Sequence, residues 1–516
     1  MPRPAATNAA RRQQLLAEAL TNPKCYGHDV DKIRLVETHI SFVLLTGPYA
    51  YKLKKPLKLP FLDFSTRARR RHFCLEELRL NRRLARELYL GVVPIGGSSA
   101  APRVGRKPAI EYAIKMRQFD TRAELDEVLA RGELPRAALE QFATDLARFH
   151  TALPPVKVSH AAAAIRASAL DNFATLERYV RGTAQHDLRV LRSWTERESA
   201  RLAAVFERRA AGGAHRECHG DLHLKNLLYR DGAVVAFDAL EFDRRLREID
   251  VVSEVAFLAM DLCAARRADL AFSFLNRYFE ASGDYDGIEV LRFYLVYRAL
   301  VRAKVDAIKS AQTRRSRRND TYLRAAVALS APARPLLLVT HGLSGSGKTH
   351  VTNELVARLP ALRVRSDLER KRLHGLAALA RTASAVGQGL YGAAASRRTY
   401  AALAVTADRL LRHGFNAVVD AAFLRRAERL AFRQVAAANG ARFAILHCAA
   451  PEAELKVRIA QRSAEGRDAS EATFAVLLEQ LRDREPLDRA ERRATVRVAT
   501  QRRIRYENLL ARLAKI

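Results

Sequence analysis

The stretch Gly342-Leu-Ser-Gly-Ser-Gly-Lys-Thr349 stands between an apolar run, Leu336 to Thr340, and a segment of helix-forming residues. Its glycines allow backbone N–H groups to face a bound anion at the start of a helix. Lys348 is spaced to reach the terminal phosphates, and Thr349 to put its hydroxyl on Mg²⁺. The stretch therefore predicts a P-loop. We expect the nucleotide to contact Gly342, Ser344, Gly345, Ser346, Gly347, Lys348 and Thr349.

Beyond this loop strands alternate with helices, which predicts a parallel α/β sheet. Asp367 and Arg370 follow the expected strand Arg363 to Arg365, and Asp420 ends the strand Ala417 to Val419. Such strand ends face the ligand crevice of an α/β sheet. We expect Asp367 to accept a proton from an attacking hydroxyl, with Arg370 steadying the acceptor or the phosphoryl group. Asp420 would bind the metal ion through water. A surface ion pair and a strand-end cap are the simpler interpretations of these residues.

A basic segment farther along the chain contains Arg458, Arg462 and Arg467. An arginine-bearing lid would close over the phosphate and neutralise developing charge, so we assign Arg462 to nucleotide binding. A solvated helix face is the alternative. Residues 335 to 500 resemble the P-loop kinases that include the zeta-toxin-like, gluconate-kinase-like and polynucleotide 5′-hydroxyl kinase families. That resemblance implies that Asp367 is the general base and the arginine segment the lid, and it leaves the acceptor open.

A second phosphotransfer signature lies upstream, in His219-Gly-Asp-Leu-His-Leu-Lys-Asn226. Asp221 and Asn226 have the spacing of a protein-kinase catalytic loop, where the aspartate accepts the hydroxyl proton and the asparagine binds metal. Asp238 follows the strand Val234 to Phe237, at the position of the second metal-binding carboxylate. The strand–turn–strand between these residues would bring both acids to one metal pair. A polar turn in a helical domain is the alternative.

Residues 30 to 310 resemble the aminoglycoside phosphotransferase/choline kinase family, whose H-G-D-x-x-x-x-N pattern stands at His219 to Asn226. The resemblance implies a phosphate-binding lysine on an N-terminal strand. Lys52 and Lys54 share one face of the expected strand, and we prefer Lys52 while Lys54 stays open.

Glu76 or Glu77 would be the ion-pair partner of that lysine, and we assign Glu77 to the cofactor site. Two departures from the protein-kinase pattern stand out. Gly220 replaces the arginine of the catalytic loop, and no G-x-G-x-x-G precedes the lysines, although Thr46-Gly-Pro48 would serve as a phosphate-covering turn. The order of the two halves resembles the bacterial bifunctional aminoglycoside phosphotransferase/ATP-binding protein family.

The chain is long enough for two domains, and Ser330 to Pro335, with two prolines and small residues, is the clearest linker. We expect an N-terminal α+β protein-kinase-like domain over residues 1–330, with a small β-rich lobe and a helical lobe. We expect a C-terminal α/β P-loop domain with a parallel sheet over residues 331–516. The β-rich lobe includes a hairpin over residues 38–55 and a helix from Arg67 to Glu87, and the helical lobe includes a long helix from Asp187 to Arg209.

Composition narrows the classes of protein. The net charge of +33 would attract nucleotides, phosphorylated metabolites or nucleic acid, but it is spread along the chain. The five cysteines are scattered without metal-ligand spacing, which favours a reduced, cytoplasmic compartment and buried, inert thiols. No apolar stretch is long enough for a membrane span, and no secretory leader is expected. The oligomeric state stays open.

The sequence thus predicts a Mg²⁺-dependent phosphotransferase with two ATP sites and an unidentified hydroxyl-bearing acceptor. Three other interpretations remain. The N-terminal half would be a non-catalytic binding module, with only the P-loop half active. The P-loop half would act on nucleic-acid 5′-hydroxyl ends, which is the less favoured partner. Or the chain would be a slow ATP-hydrolysing switch.

Overall fold

The computed structural model describes residues 8–59, 62–313, 320–331, 334–378, 380, 392–465 and 470–516. Its elements begin with α1 (Asn8–Ala19), β1 (Arg34–Glu37), β2 (Ser41–Leu45), β3 (Tyr49–Lys54), β4 (Lys58–Leu59), β5 (Leu62–Asp63), α2 (Arg67–Asn81), β6 (Tyr89–Gly97), β7 (Pro102–Val104), β8 (Ala109–Arg117) and α3 (Leu125–Ala130).

The chain continues through α4 (Arg136–Ala152), α5 (Ala161–Tyr179), α6 (Ala184–Arg201), α7 (Ala203–Ala211), β9 (His215–Glu217), β10 (Leu227–Arg230), β11 (Ala233–Ala236), α8 (Arg244–Arg247), β12 (Glu248–Asp250), α9 (Val251–Ala264), α10 (Ala268–Ser282), α11 (Ile288–Thr313) and α12 (Thr321–Ser330). It ends with β13 (Leu336–His341), α13 (Lys348–Arg358), β14 (Ala361–Arg365), α14 (Ser366–Leu373), α15 (Ala393–Arg412), β15 (Asn416–Asp420), α16 (Arg426–Ala438), β16 (Arg442–Ala449), α17 (Glu452–Glu465), α18 (Phe474–Asp483), α19 (Arg489–Arg493), β17 (Thr495–Ala499) and α20 (Tyr506–Ala514).

These elements form two compact units. The first comprises Met1–Ala138, Leu153–Val158 and Gly212–Glu254, and the second comprises Leu139–Ala152, Ser159–Ala211 and Val255–Ile516. The second unit thus contains segments from both sides of residue 331. A domain boundary at that residue stays a prediction.

The first unit is built on a six-stranded sheet in the order β1-β2-β3-β8-β6-β7, in which neighbouring strands are antiparallel. Alternate residues of a strand point to opposite faces. On one face Leu16 and Leu20 from the α1 region pack against Phe42, Leu53 and Ile95 of the sheet. Helix α2 contacts the sheet at β6 and β8, and it carries the candidate Glu77.

The expected hairpin over residues 38–55 is present, because β2 pairs with β3 from Ser41 opposite Lys54 to Leu45 opposite Ala50. The turn is closed by a backbone hydrogen bond of 2.9 Å from Thr46 N to Tyr49 O. Two further antiparallel pairs, β10 with β11 and β12 with β9, border the candidate catalytic loop.

The second unit contains helices packed with a five-stranded sheet in the order β14-β15-β13-β16-β17, in which every neighbouring pair is parallel. Strand β13 lies at its centre and is buried at all of its six residues, Leu336–His341. A strand buried on both faces is continuously apolar, which explains why this run was visible in the sequence. The expected fold class, α+β in the N-terminal part and α/β with a parallel sheet in the C-terminal part, is confirmed.

Strand β14 is the edge strand nearest the candidate metal site, and α10 covers it. Asn276 on α10 donates to Ala361 O at 2.8 Å and accepts from Arg363 N at 2.7 Å, so its amide takes the place of a neighbouring strand. The hydroxyl of Tyr285 donates to Arg363 O at 3.1 Å. Edge strands expose unpaired backbone groups, and these side chains satisfy them.

Three details differ from the sequence predictions. Helix α2 ends at Asn81 rather than near Glu87, because the backbone N–H groups of Arg83 and Leu84 bond to carbonyls only three residues back, Leu80 O and Asn81 O. The helix expected from Asp187 to Arg209 is divided at Leu202 into α6 and α7. Strand β17 was not predicted, because its alternation of buried and exposed residues is confined to Thr495–Ala499.

Among the residues that the structure describes, no helix is long and apolar enough to cross a membrane. Four of the five cysteines, Cys25, Cys74, Cys218 and Cys448, are buried, Cys263 is partly buried, and all are free thiols.

We expect Asn276→Ala to lower the free energy of unfolding of the second unit by about 1–3 kcal/mol, because it leaves a buried N–H and C=O unpaired. The single tryptophan, Trp194, lies in this unit on α6, so its fluorescence during urea denaturation reports the unfolding of the second unit. Ser273→Ala on the same helix is the matched control, since Ser273 bonds only to Asp269 O of its own helix. Equal midpoints for the two variants would show that the edge contact contributes nothing.

Candidate functional site

The P-loop connects β13 to α13, and its backbone requires glycine at particular positions. Gly342 has φ +151°, and a Cβ there would lie 2.4 Å from Cys448 O. A Cβ on Gly345, at φ +79°, would lie 2.8 Å from Leu455 O. Both contacts are to backbone and cannot be relieved by turning a side chain. The glycine spacing is therefore demanded by the local fold as well as by any bound anion.

Lys348, Thr349 and Asp420 form the centre of this site. The Thr349 hydroxyl donates to Asp420 Oδ2 at 2.8 Å, and the Asp420 side chain is 4% exposed at the end of β15. Lys348 Nζ donates to Gly342 O and Leu343 O at 3.0 and 2.9 Å. Burial lowers the pKa of Lys348, and the nearby Asp420 carboxylate opposes that shift. The lysine is thus held by its own loop.

The loop presents groups that match phosphate. The Ser346 hydroxyl is buried and has no hydrogen-bond partner among the described residues. The backbone N–H of Ser344 is bound by the Gln480 side chain at 2.8 Å, which shows that an oxygen ligand fits there. Hard oxygen donors, the Thr349 hydroxyl and the Asp420 carboxylate, are those that Mg²⁺ prefers. The donor set therefore fits a magnesium nucleotide.

A cavity of about 230 Å³ opens beside these groups. Its lining includes five of the P-loop residues, Ser344, Gly345, Gly347, Lys348 and Thr349, together with Asp367, Arg370, Asp420, Arg458 and Arg462. The predicted nucleotide contacts Gly342 and Ser346 are not among the lining residues. Arg370 Nη1 lies 3.4 Å from Asp367 Oδ1, an i, i+3 pair at the start of α14.

The two lid arginines are partly engaged already. Arg458 donates to Thr500 Oγ1 and Thr500 O at 2.9 and 3.1 Å, and it pairs with Glu454 at 2.7 Å. Arg462 donates to Ala472 O at 2.9 Å. The third arginine of the predicted lid, Arg467, lies outside the described residues. Two of the three arginines thus line the cavity, and their role as a lid stays a prediction.

In the first unit both candidate lysines contact the same carboxylate. Lys52 Nζ lies 2.8 Å from Glu77 Oε1, and Lys54 Nζ lies 2.6 Å from Glu77 Oε2. Glu77 is fully buried on α2. Lys52 also reaches Asp238 Oδ1 at 2.6 Å, whereas Lys54 pairs with the buried Glu241. The structure thus distinguishes the two lysines by their second partner.

Glu76, the other candidate partner, lies in a different network. It pairs with Arg79 and Arg247, each at 2.7 Å, and both arginines also contact Glu217, which precedes the catalytic loop. These ion pairs connect α2 to the loop but include neither lysine. Of the two glutamates considered, Glu77 is therefore the one that contacts the lysines.

The charges in this cluster reinforce one another. Burial alone would lower the pKa of Lys52, but Asp238 and Glu77 outweigh it and hold the pKa well above its ordinary value. Burial would raise the pKa of Glu77, and the two lysines keep it lowered. For Glu241 burial prevails, and its pKa is raised despite Lys54. Lys52 and Glu77 are therefore an ionised pair.

The candidate catalytic loop holds its acid by local hydrogen bonds. Asn226 Nδ2 donates to Asp221 Oδ2 and Asp221 O, both at 2.9 Å. Asp238 has φ +61°, and its backbone N–H donates to the Tyr89 hydroxyl at 3.1 Å. A left-handed non-glycine residue is rare and marks a position that its surroundings determine.

Gly220 and His219 shape the turn before Asp221. A Cβ on Gly220, at φ +88°, would lie 3.0 Å from Leu246 O and 3.1 Å from Arg247 Cβ. His219 Nε2 lies 2.8 Å from Phe237 O, and the Asp221 N–H donates to Nδ1 at 3.3 Å. One nitrogen donates and the other accepts, so the ring is neutral, and burial lowers its pKa accordingly.

Sequence reasoning missed Glu254, which supports this loop. Its carboxylate accepts from His219 N at 2.7 Å and from Gly220 N at 3.0 Å. The nearby Asp250 accepts from Val252 N at 2.9 Å, at the start of α9. A sequence signal existed, because Glu254 interrupts the apolar run Val251–Met260 and a buried acid requires partners.

A second cavity, of about 460 Å³, lies in the first unit. It is lined by Pro48 of the predicted phosphate-covering turn and by Gln118 and Phe119 after β8. Gln118 also accepts from Gly47 N at 3.0 Å. The predicted phosphate-covering turn thus lies at the edge of this cavity.

The chain is similar to known proteins over part or most of its length. Residues 337–487 match the family model described as an AAA domain. An uncharacterized protein from Mycobacterium tuberculosis strain H37Rv is 28% identical over 462 residues, which cover 88% of this chain and 91% of the relative.

Two solved structures are also similar. A gluconokinase from Sinorhizobium meliloti 1021 has 22% identity and a TM-score of 0.26, and the match covers 35% of this chain and 93% of that one. A choline/ethanolamine kinase family protein from Mesorhizobium loti has 13% identity and a TM-score of 0.37, and the match covers 62% of this chain and 92% of that one.

The AAA match includes the P-loop, Asp367 and Asp420, so it confirms the predicted P-loop nucleotide domain. With the geometry of the cavity it supports a phosphotransferase. The bifunctional family named from the sequence stays a resemblance.

We expect Gly220→Ala to open the catalytic loop, since the added Cβ combines a left-handed backbone with contacts to Leu246 O and Arg247. Gly232→Ala is the matched control, because Gly232 has φ +79° but no atom of the described residues within 4 Å of the place where its methyl group would lie. Each variant incurs backbone strain of about 1–3 kcal/mol, so their difference isolates the steric contact.

Hydrogen exchange followed by mass spectrometry on peptides covering residues 217–226 measures the effect. Faster exchange is expected there for Gly220→Ala alone. Equal exchange in the two variants would contradict the steric role of Gly220.

Proposed function

We propose that this chain is an ATP-dependent phosphotransferase whose P-loop site transfers the γ-phosphoryl group to a hydroxyl acceptor. The observation that carries the proposal is the cluster of Lys348, Thr349 and Asp420 beside a loop with an unpartnered Ser346 hydroxyl. A buried carboxylate bonded to the P-loop threonine is the arrangement that a metal–nucleotide complex requires.

In this proposal Thr349 and Asp420 would hold Mg²⁺, which would neutralise charge on the phosphates. The Thr349 hydroxyl donates its hydrogen bond to Asp420, so the lone pairs of the hydroxyl oxygen stay available for the metal. Lys348 leaves the carbonyls of Gly342 and Leu343 for phosphate oxygens. This exchange is favourable because a charged acceptor binds an ammonium more strongly than a carbonyl does.

Asp367 is the proposed general base. The acceptor oxygen forms a bond to the γ-phosphorus while the bond from that phosphorus to the bridging oxygen of ADP breaks. The acceptor proton passes to the Asp367 carboxylate. Arg370, 3.4 Å from that carboxylate, and the lid residue Arg462 would balance the charge on the transferring group.

We further propose a second ATP site in the first unit. Lys52 would bind phosphate, Asn226 and Asp238 would hold Mg²⁺, and Asp221 would accept the acceptor proton. The ionised Lys52–Glu77 pair supports this assignment. When Lys52 turns towards a phosphate, Lys54 would still balance the negative charge of Glu77, because Lys54 contacts the other oxygen of the same carboxylate.

We expect Lys348→Ala, in a full chain that also carries Asp238→Asn, to reduce transfer of labelled γ-phosphate roughly 100-fold or more. The assay follows label from ATP into a cell metabolite extract and, separately, into an oligonucleotide with a 5′-hydroxyl end. Lys515→Ala, which removes an exposed charge, is the control.

Undiminished transfer in Lys348→Ala would remove the P-loop from the mechanism. Label only on the oligonucleotide would identify nucleic-acid ends as the acceptor, and label only on a metabolite would exclude them.

The second site is tested in a full chain carrying Lys348→Ala. Lys52→Met should weaken ATP binding about tenfold or more in calorimetric titration, because it removes a charge-assisted bond worth roughly 1.5–3 kcal/mol. Lys54→Met should instead chiefly reduce stability, since it leaves two buried carboxylates with one lysine. If the parent chain binds no ATP in this assay, the first unit is a non-catalytic module.

A further inference from the structure

A buried arginine on the edge strand β14 lies between a helix and the P-loop helix. Arg363 donates from Nε and Nη2 to Glu280 Oε1 of α10 at 3.0 and 2.6 Å. Its Nη1 donates to Thr352 Oγ1 and Asn353 Oδ1 of α13 at 2.9 and 2.6 Å. The side chains of Arg363 and Glu280 are 4% and 3% exposed. The guanidinium is thus surrounded by acceptors from two helices.

The contacts continue from Thr352 to the candidate metal site. A guanidinium only donates, so the Thr352 hydroxyl must accept from Arg363 and keeps its single proton for another partner. Two oxygens are within reach, Asp420 Oδ2 at 3.3 Å and Thr349 O at 3.2 Å. Both belong to the residues proposed to hold Mg²⁺. Arg363 therefore determines which way the Thr352 hydroxyl points.

The Glu280 charge is needed to keep this arrangement. Burial would raise the pKa of Glu280, but Arg363, Arg365 and Arg277 outweigh it and hold the pKa below its ordinary value. Without that carboxylate the buried guanidinium would lack its counter-ion, and it would be drawn towards other buried acceptors. Asp420 is one of these, because the Thr352 hydroxyl that accepts from Arg363 also lies within hydrogen-bonding distance of Asp420 Oδ2.

We propose that Glu280 and Arg363 are positioning residues for the magnesium site of the P-loop, acting on Asp420 through the Thr352 hydroxyl. This rests on the proposed function of that site. These contacts join α10 and α13 to β14, so they also stabilise the fold. A purely structural role would change the stability of the protein without changing the Mg²⁺ dependence of nucleotide binding. The separation of these two effects is the test.

The experiment titrates Mg²⁺ against a fluorescent ATP analogue bound to the full chain carrying Asp238→Asn. The measured quantity is the Mg²⁺ concentration at half-maximal binding. We expect Glu280→Gln to raise it roughly tenfold, the size of effect typical for residues that orient a metal ligand. Thr352→Val, which keeps the side-chain shape and removes the hydroxyl, should raise it by a similar factor.

Two controls separate position from stability. Asn276→Ala breaks the neighbouring contact of α10 with β14 without touching the Arg363 side chain, so it should leave the Mg²⁺ dependence within twofold of the parent. Arg277→Gln removes the outward partner of Glu280 at 3.5 Å but leaves Arg363 and Arg365, the larger contributors, to keep Glu280 ionised, so it should do the same. For the double variant Glu280→Gln/Thr352→Val, the Mg²⁺ concentration at half-maximal binding should lie within twofold of the higher of the two single-variant values. The two effects should not multiply, because both changes interrupt the same chain of contacts from Glu280 to Asp420.

The outcomes are distinct. Unchanged Mg²⁺ dependence in both Glu280→Gln and Thr352→Val, with binding still lost in Lys348→Ala, overturns the inference and leaves the proposed function standing. Should Glu280→Gln not fold, Thr352→Val decides alone. A parent chain whose nucleotide binding needs neither Mg²⁺ nor Lys348 overturns both the proposed function and this inference.

Discussion

The buried guanidinium of Arg363 is the constraint on which the second unit depends. An arginine cannot be deprotonated in a protein, so a strand that buries one must supply acceptors on every side. Here they come from α10 and α13, and β14 is thereby tied to both helices. Asp367 follows the end of this strand, and Asp420 ends the strand beside it. The positions of both candidate acids therefore follow from how one charge is compensated.

The two candidate lysines for phosphate are held in contrasting ways. Lys52 is bound by Glu77 and Asp238, and its pKa is raised, so a phosphate must compete with two carboxylates for it. Lys348 is bound only by carbonyls of its own loop in the described structure, and burial lowers its pKa. An approaching polyanion would thus gain more at the P-loop. On electrostatic grounds the P-loop is therefore the stronger of the two candidate phosphate sites, whichever acceptor each would use.

Local patterns in the sequence predicted the parts of the site that depend on short-range geometry. The apolar run of β13 and the glycines after it determine a strand, a loop and a helix start, and Asp420 was found because it ends a similar run. Residues that act across the fold were missed. Gln480 reaches Ser344 from 136 positions away and Glu280 reaches Arg363 from 83, and no periodicity connects such pairs. The choice between Glu76 and Glu77 also needed the structure, because neighbouring helix residues face different directions.

Within the second unit, residues that precede the proline-containing segment Ser330 to Pro335 in the sequence form hydrogen bonds with residues that follow it. Residues on α10, encoded before it, satisfy the backbone of β14, encoded after it, and compensate the charge on that strand. A fragment that begins after this segment would lack α10. Ala361 O and the backbone N–H of Arg363 would then lose their Asn276 partner, and the Arg363 guanidinium would lose the Glu280 carboxylate. Unpaired buried groups and charges are expensive, so the edge strand would rearrange to reach water. Because Thr352 bonds to that same arginine, the rearrangement would extend to Asp420 and hence to the candidate metal site.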